Sequence, residues 1–193
     1  MLKSSTFHDS DDVATLPTDM KKYVWAFSEG NGKNKQLLGG KGANLCEMTQ
    51  IGLNVPPGFV ISTEACLTYL ANPNKELPAG LMDQVVEQVK RLETATGKGF
   101  GDASNPLLVS VRSGSAMSMP GMMDTILNLG LNAQTLHGLI AQTGNERFGY
   151  DAYRRFIQLF GKVALGVPDE KFDEHFEEIK RRAGVKVDIG LSA

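Results

Sequence analysis

The residues best suited to chemistry gather between Val109 and Leu131, where a short aliphatic strand pattern ends on Arg112 and gives way to a loop rich in glycine, serine and methionine. Leu107, Leu108, Val109 and Val111 form a run of strand length. Arg112 stands where Ser113, Gly114 and Ser115 begin. Its guanidinium is a planar fork of donors matched to two oxygens of a phosphate or carboxylate. Further on, Pro120 and Gly121 lie among Met119, Met122 and Met123, a composition that lets the backbone approach a ligand while thioethers pack around it. A strand-end arginine by itself is more often a surface ion pair than a ligand, so its surroundings must carry a phosphate reading.

A second glycine-rich segment, Leu38-Gly39-Gly40-Lys41-Gly42-Ala43-Asn44-Leu45, opens a helical pattern with Leu45, Met48 and Ile51 spaced on one face. Lys41 is thereby expected near a helix N-terminus, where free N–H groups and the helix dipole favour an anion and the ammonium adds a full charge. The spacing is not that of a P-loop, since Gly42 rather than serine or threonine follows Lys41. Read alone, the segment is equally a glycine hinge before a helix with a solvated lysine. The pair Asp124-Thr125 after the methionine loop has two readings: a carboxylate for Mg²⁺, or a structural group that orients Arg112 or caps a turn. The structural role is favoured.

Around these residues the pattern predicts a strand over Tyr23–Phe27, a polar turn, the Lys41 helix, and a break at Asn54–Gly58. A strand at Phe59–Ile61 follows, then a short helix capped by Thr63 and running to Leu70. Leu81, Val85, Val86, Val89 and Leu92 have helical periodicity, ended by Gly97, Gly99 and Gly101. After the Arg112 strand, Met123–Leu129 is expected to be extended. The chain then changes character, with helical faces built on Leu136 to Ile140, Tyr150 to Val163 and Phe172 to Ile179, broken at Gly144 and at Gly166-Val167-Pro168. The aromatic residues of these helices read as bundle core rather than a ligand cage. The fold class is accordingly α/β (α+β): a polar tail over 1–19, an α/β subdomain over 20–130 and a helical subdomain over 131–193.

Composition limits the function classes. The chain has 193 residues, 41% hydrophobic and 22% charged, with a formal net charge of -2, and it carries no basic domain or basic-aromatic stripe of a nucleic-acid binder. Lys180-Arg181-Arg182 closes a helix whose earlier turns are acidic, which suits the helix dipole. Cys46 and Cys66 lack CxxC spacing and fit reduced thiols. No apolar run reaches the roughly 18 residues of a membrane span. The first residues, with Asp9, Asp11 and Asp12, resemble neither a secretion signal nor a transit peptide, so a cytoplasmic location is expected. His8, His137 and His175 lack the neighbours of a nucleophile or metal site, and no metal cluster is visible.

Taken together, GGKGANLCEM (Gly39–Met48), VPPGFVIST (Val55–Thr63) and the stretch Val109–Asn132 resemble the N-terminal nucleotide-binding region of the pyruvate phosphate dikinase family. The resemblance continues through Arg147–Ile157 and Pro168–Asp188, and so covers roughly residues 20 to 193. Phosphoenolpyruvate synthases and glucan or water dikinases share the GGKG and VRSS-like elements, but SMPGMMDT (Ser118–Thr125) points to the dikinase branch. The resemblance implies the N-terminal part of an ATP-grasp-like domain, with Lys41 and Arg112 as the catalytic phosphate clamps. Gly121 and Met123 belong to the loop implied to close over the transferred group. It also implies ATP, phosphate and pyruvate as substrates, AMP, diphosphate and phosphoenolpyruvate as products, and Mg²⁺ accompanying ATP with its protein ligands outside this chain. The phosphohistidine and pyruvate-binding domains of the family, and the later half of the ATP-grasp domain, are expected to be missing. Three readings follow from that expectation: a catalytically incomplete piece of the dikinase, one chain of a split enzyme whose companion supplies the remaining domains, or a non-catalytic nucleotide-binding or regulatory module.

Overall fold

The structure, a computed structural model, describes residues 21–114 and 124–193. The N-terminal tail, Gly121 and Met123 lie outside the described residues. Strand β1 (Val24–Ala26) pairs antiparallel with β2 (Phe59–Ile61), with Trp25 opposite Val60. Side chains alternate across this ribbon, so each face has its own core. Val24 and Phe59 join Tyr23, Ala65, Leu81 and Val85 on one side. Trp25 and Val60 meet Leu38, Ala43 and Cys46 on the other. The helices that supply these residues are α1 (Lys35–Gln50), α2 (Thr63–Ala71) and α3 (Leu81–Thr96).

Helix α1 buries Leu38, Ala43 and Cys46 rather than the expected Leu45, Met48 and Ile51 face, and Ile51 is 68% exposed. The reason is close approach. A Cβ on Gly42 would lie 2.8 Å from a Val60 methyl carbon, so the helix meets β2 through Gly42 and its neighbour Ala43, while Met48 and Ile51 stay exposed. The cap of α2 is also shifted by one residue from expectation. Ser62 accepts from the N–H of Ala65, while Thr63 donates its hydroxyl to the Gln36 carbonyl at 2.5 Å and ties α2 to α1.

The second group of elements begins after a loop whose Gly99 and Pro106 form a bridge. It comprises the antiparallel hairpin β3 (Val109–Arg112) and β4 (Thr125–Leu129), then α4 (Ala133–Thr143), α5 (Glu146–Leu165) and α6 (Asp169–Arg182). Asn132 and Thr135 cap α4 reciprocally, and the fully buried Thr135 hydroxyl also donates to the Gly130 carbonyl at 2.9 Å. Gly144 and Gly166 end α4 and α5 in the left-handed region, at the breaks the sequence marks. Helix α5 is the centre of this group and packs on β4, α4 and α6. Among the described residues the architecture is mixed α and β with two separate two-stranded sheets.

Candidate phosphate-binding site

Local geometry explains how Lys41 comes to stand at a helix start although it lies inside α1. Gly39 adopts φ 68, ψ 164, which breaks the helix between the turn capped by Asn34 and the segment that continues to Gln50. Only glycine takes this conformation without strain. A second N-terminus therefore forms at the Gly40-Lys41-Gly42 step, and the exposed Lys41 side chain belongs to it. Gly42 holds this step against Val60.

Arg112 ends β3 and is paired in register with Thr125. Beyond that pair the hairpin is fastened by Asp124, whose backbone carbonyl accepts from the N–H of Ser113 at 3.1 Å and from its hydroxyl at 3.2 Å. Among the described residues neither Lys41 nor Arg112 forms a salt bridge. The two sit in different packing groups: α1 lies on β2 and α2, whereas β3 lies with β4 and α5.

Lys162 of α5 donates to Asp169 at 2.5 Å, and that hydrogen bond and charge raise its pKa, against burial, with smaller contributions from Asp124 and Asp173. Among the described residues no group of three or more His, Cys, Asp or Glu side chains could hold a metal ion.

A feature not anticipated from the sequence is a cavity of about 400 Å³ between α5, α6 and the segment after α6. The aromatic stripe expected as closed bundle core lines its wall instead, through Tyr150, Tyr153, Phe172 and Phe176, and Tyr150 is 41% exposed. Its arginines are already engaged. Arg154 lies 4.1 Å over the Phe176 ring and pairs with Asp151 at 2.9 Å, and Arg147 donates to the carbonyls of Asp188 and Leu191. His175 also lines this cavity, whereas His137 is exposed on α4. A signal was present: apolar and aromatic residues at 150, 153, 156, 157 and 160 make a stripe broader than one partner helix covers.

Comparison with known proteins bears on the glycine-rich segment first. A family model described as pyruvate phosphate dikinase, AMP/ATP-binding domain, matches residues 35–77, which span α1, β2 and α2 and include Lys41. The pyruvate, phosphate dikinase of Entamoeba histolytica is 60% identical over 170 residues, covering 88% of this chain and 19% of that protein. The chain is a homologue of the pyruvate phosphate dikinases. It is homologous to the N-terminal AMP/ATP-binding part of these dikinases. The chloroplastic pyruvate, phosphate dikinase 1 of Arabidopsis thaliana is 53% identical over 188 residues, and the dikinase of Clostridium symbiosum 50% over 174. These alignments cover 95% and 90% of this chain. The chain spans about a fifth of the length of the dikinases it matches. No helix among the described residues is long and apolar enough to cross a membrane.

Proposed function

We propose that this chain binds the phosphates of ATP within a dikinase ATP site of ATP-grasp-like design, with Lys41 and Arg112 as its two cations. The observation that carries the reading is the Gly39 break, which turns the interior of α1 into a helix N-terminus at Lys41, inside the segment matched by the AMP/ATP-binding family model. A helix start and an ammonium at one place attract a polyanion. Arg112 adds a bidentate donor from the end of β3. Gly121 and Met123, which the family resemblance implies at the transferred group, lie outside the described residues. Because α1 and β3 sit in different packing groups, ATP itself is the bridge between the cations. Mg²⁺ enters bound to the nucleotide, its protein ligands lying on other parts of the dikinase.

In a whole dikinase this portion would serve the conversion of ATP, pyruvate and phosphate to AMP, phosphoenolpyruvate and diphosphate. Charge neutralisation and alignment are what phosphoryl transfer chiefly requires, and both are tasks for Lys41 and Arg112. A cytoplasmic location belongs to the same reading, supported by two free cysteines.

The test is calorimetric titration of the purified chain with Mg-ATP, with circular dichroism on the same preparation. Lys41→Ala and Arg112→Ala should each weaken binding by about tenfold or more, the scale of one hydrogen bond to a charged group. Unchanged affinity in both folded variants removes these residues from the site.

A further inference from the structure

The β3–β4 hairpin is not in simple register. Val109 pairs with Leu129, but Val111 pairs with Ile126 and Arg112 with Thr125. Between the first two pairs, β3 contributes Ser110 alone while β4 contributes both Leu127 and Asn128. This is a β-bulge on β4, and Asn128 within it has φ 58. Asparagine is one of the few residues other than glycine that tolerates the left-handed region.

The bulge sorts the side chains of the hairpin. Residues directly opposite one another share a face, and neighbours along a strand alternate. The extra residue therefore brings Ile126 and Leu129, three positions apart, onto one face with Val109 and Val111. Ile126 is the buried member of that face, and β4 packs on α5. Ser110, Arg112 and Thr125 fall on the other face. With continuous pairing from Val109 and Leu129, Arg112 would stand opposite Ile126, so that either the isoleucine would leave the core or the guanidinium would turn towards it.

We propose that Asn128 is a positioning residue for Arg112: its left-handed bulge keeps Arg112 on the hairpin face opposite Ile126, the face from which it reaches phosphate. This rests on the phosphate role given to Arg112 above. Asn128 itself touches no phosphate; it acts by setting the phase of β4 between Leu129 and the Arg112–Thr125 pair.

The experiment uses the full chain with Gly, Asp, Ala and Val at position 128. Cross-strand nuclear Overhauser contacts report the Val111–Ile126 and Arg112–Thr125 register, and calorimetry with Mg-ATP reports binding. Asn128→Gly and Asn128→Asp, which accept positive φ, should keep both the contacts and an affinity close to that of the unchanged chain. Asn128→Val should lose the register and bind about tenfold more weakly, as expected where strain at one backbone position is no longer accommodated. If Asn128→Val does not fold, Asn128→Ala reads the same effect at smaller amplitude, with the register partly lost while Asn128→Asp keeps it. Native register and affinity in the Ala and Val variants overturn the proposal. Absence of ATP binding by the unchanged chain overturns the phosphate role of Arg112. The register contacts then still decide whether Asn128 sets its face.

Discussion

The side-chain oxygen of Gln84, on α3, accepts the backbone N–H of Tyr23 at 2.8 Å and that of Val24 at 3.1 Å. Its amide also donates to the Lys21 carbonyl at 2.9 Å. One buried glutamine thus takes up two backbone donors at the entry to β1, and fixes α3 against the ribbon that carries Val60 and, through it, α1.

Removing that amide leaves two backbone donors facing α3 without an acceptor. Gln84→Leu, which keeps the bulk, should destabilise the chain by about 2–4 kcal/mol, because each buried donor left unpaired costs about 1–3 kcal/mol. Urea unfolding followed by circular dichroism measures this. A loss below about 0.5 kcal/mol, the range of ordinary surface substitutions, would show that water replaces the amide.

Close packing at Gly42 gives a second test. An alanine methyl there would meet the Val60 methyls at 2.8 and 2.9 Å, so α1 must move off β2 or Val60 must change rotamer. Gly42→Ala should cost about 1–3 kcal/mol, typical of overpacking. Combining it with Val60→Ala should recover most of the loss, since the smaller residue makes room. Simple additivity of the two substitutions in the unfolding data would mean that they do not share this contact.

Much of this architecture was legible in the sequence because the signals are local. The Gly144 and Gly166 breaks, the strand at Phe59–Ile61 and the helix ended by Gly97 appear as their patterns require. What the pattern missed depends on partners distant in sequence. Met48 and Ile51 look like a helix face until β2 comes close to Gly42, and Leu38, Ala43 and Cys46 take the buried positions instead. The subdivision after Gly130 follows element type, whereas packing groups the β3–β4 hairpin with α5. Lys41 and Arg112 were legible only as candidates, by residue type. That Gly39 interrupts α1, and that a bulge decides the face of Arg112, are backbone facts no periodicity reveals.

The two thiols should react very differently. Cys46 is fully buried against Gly30, and burial raises its pKa above the ordinary 9.0, against backbone hydrogen bonds, whereas Cys66 is exposed on α2. A thiol reagent at pH 8 should label Cys66 quickly and Cys46 only through opening of the α1 seam. Gly42→Ala should speed the Cys46 reaction and leave Cys66 unchanged. Equal labelling of the two cysteines in the native chain would contradict the packing of α1 described above.

Acid should weaken the chain through its paired carboxylates. Burial pushes the Asp151 carboxyl up, but hydrogen bonds from Arg154 and Arg155 outweigh it and hold the pKa below the ordinary 3.8. Lys22 similarly holds Glu29 below its ordinary 4.5, against burial and with help from Arg91. A carboxyl whose pKa is lower folded than unfolded binds fewer protons in the native state, so stability rises with pH across the interval between the two values. The contribution is complete above the ordinary value and is lost as pH falls through the depressed one. Asp151→Asn should therefore cost about 0.5–1 kcal/mol at pH 7, the upper range for a partly exposed pair. That gap should close as the pH is lowered below 3.8, where the aspartate of the unchanged chain is itself becoming protonated. Urea midpoints of both chains between pH 2.5 and 8 decide the matter, and a gap that stays constant over the whole range would assign the loss to packing rather than to charge.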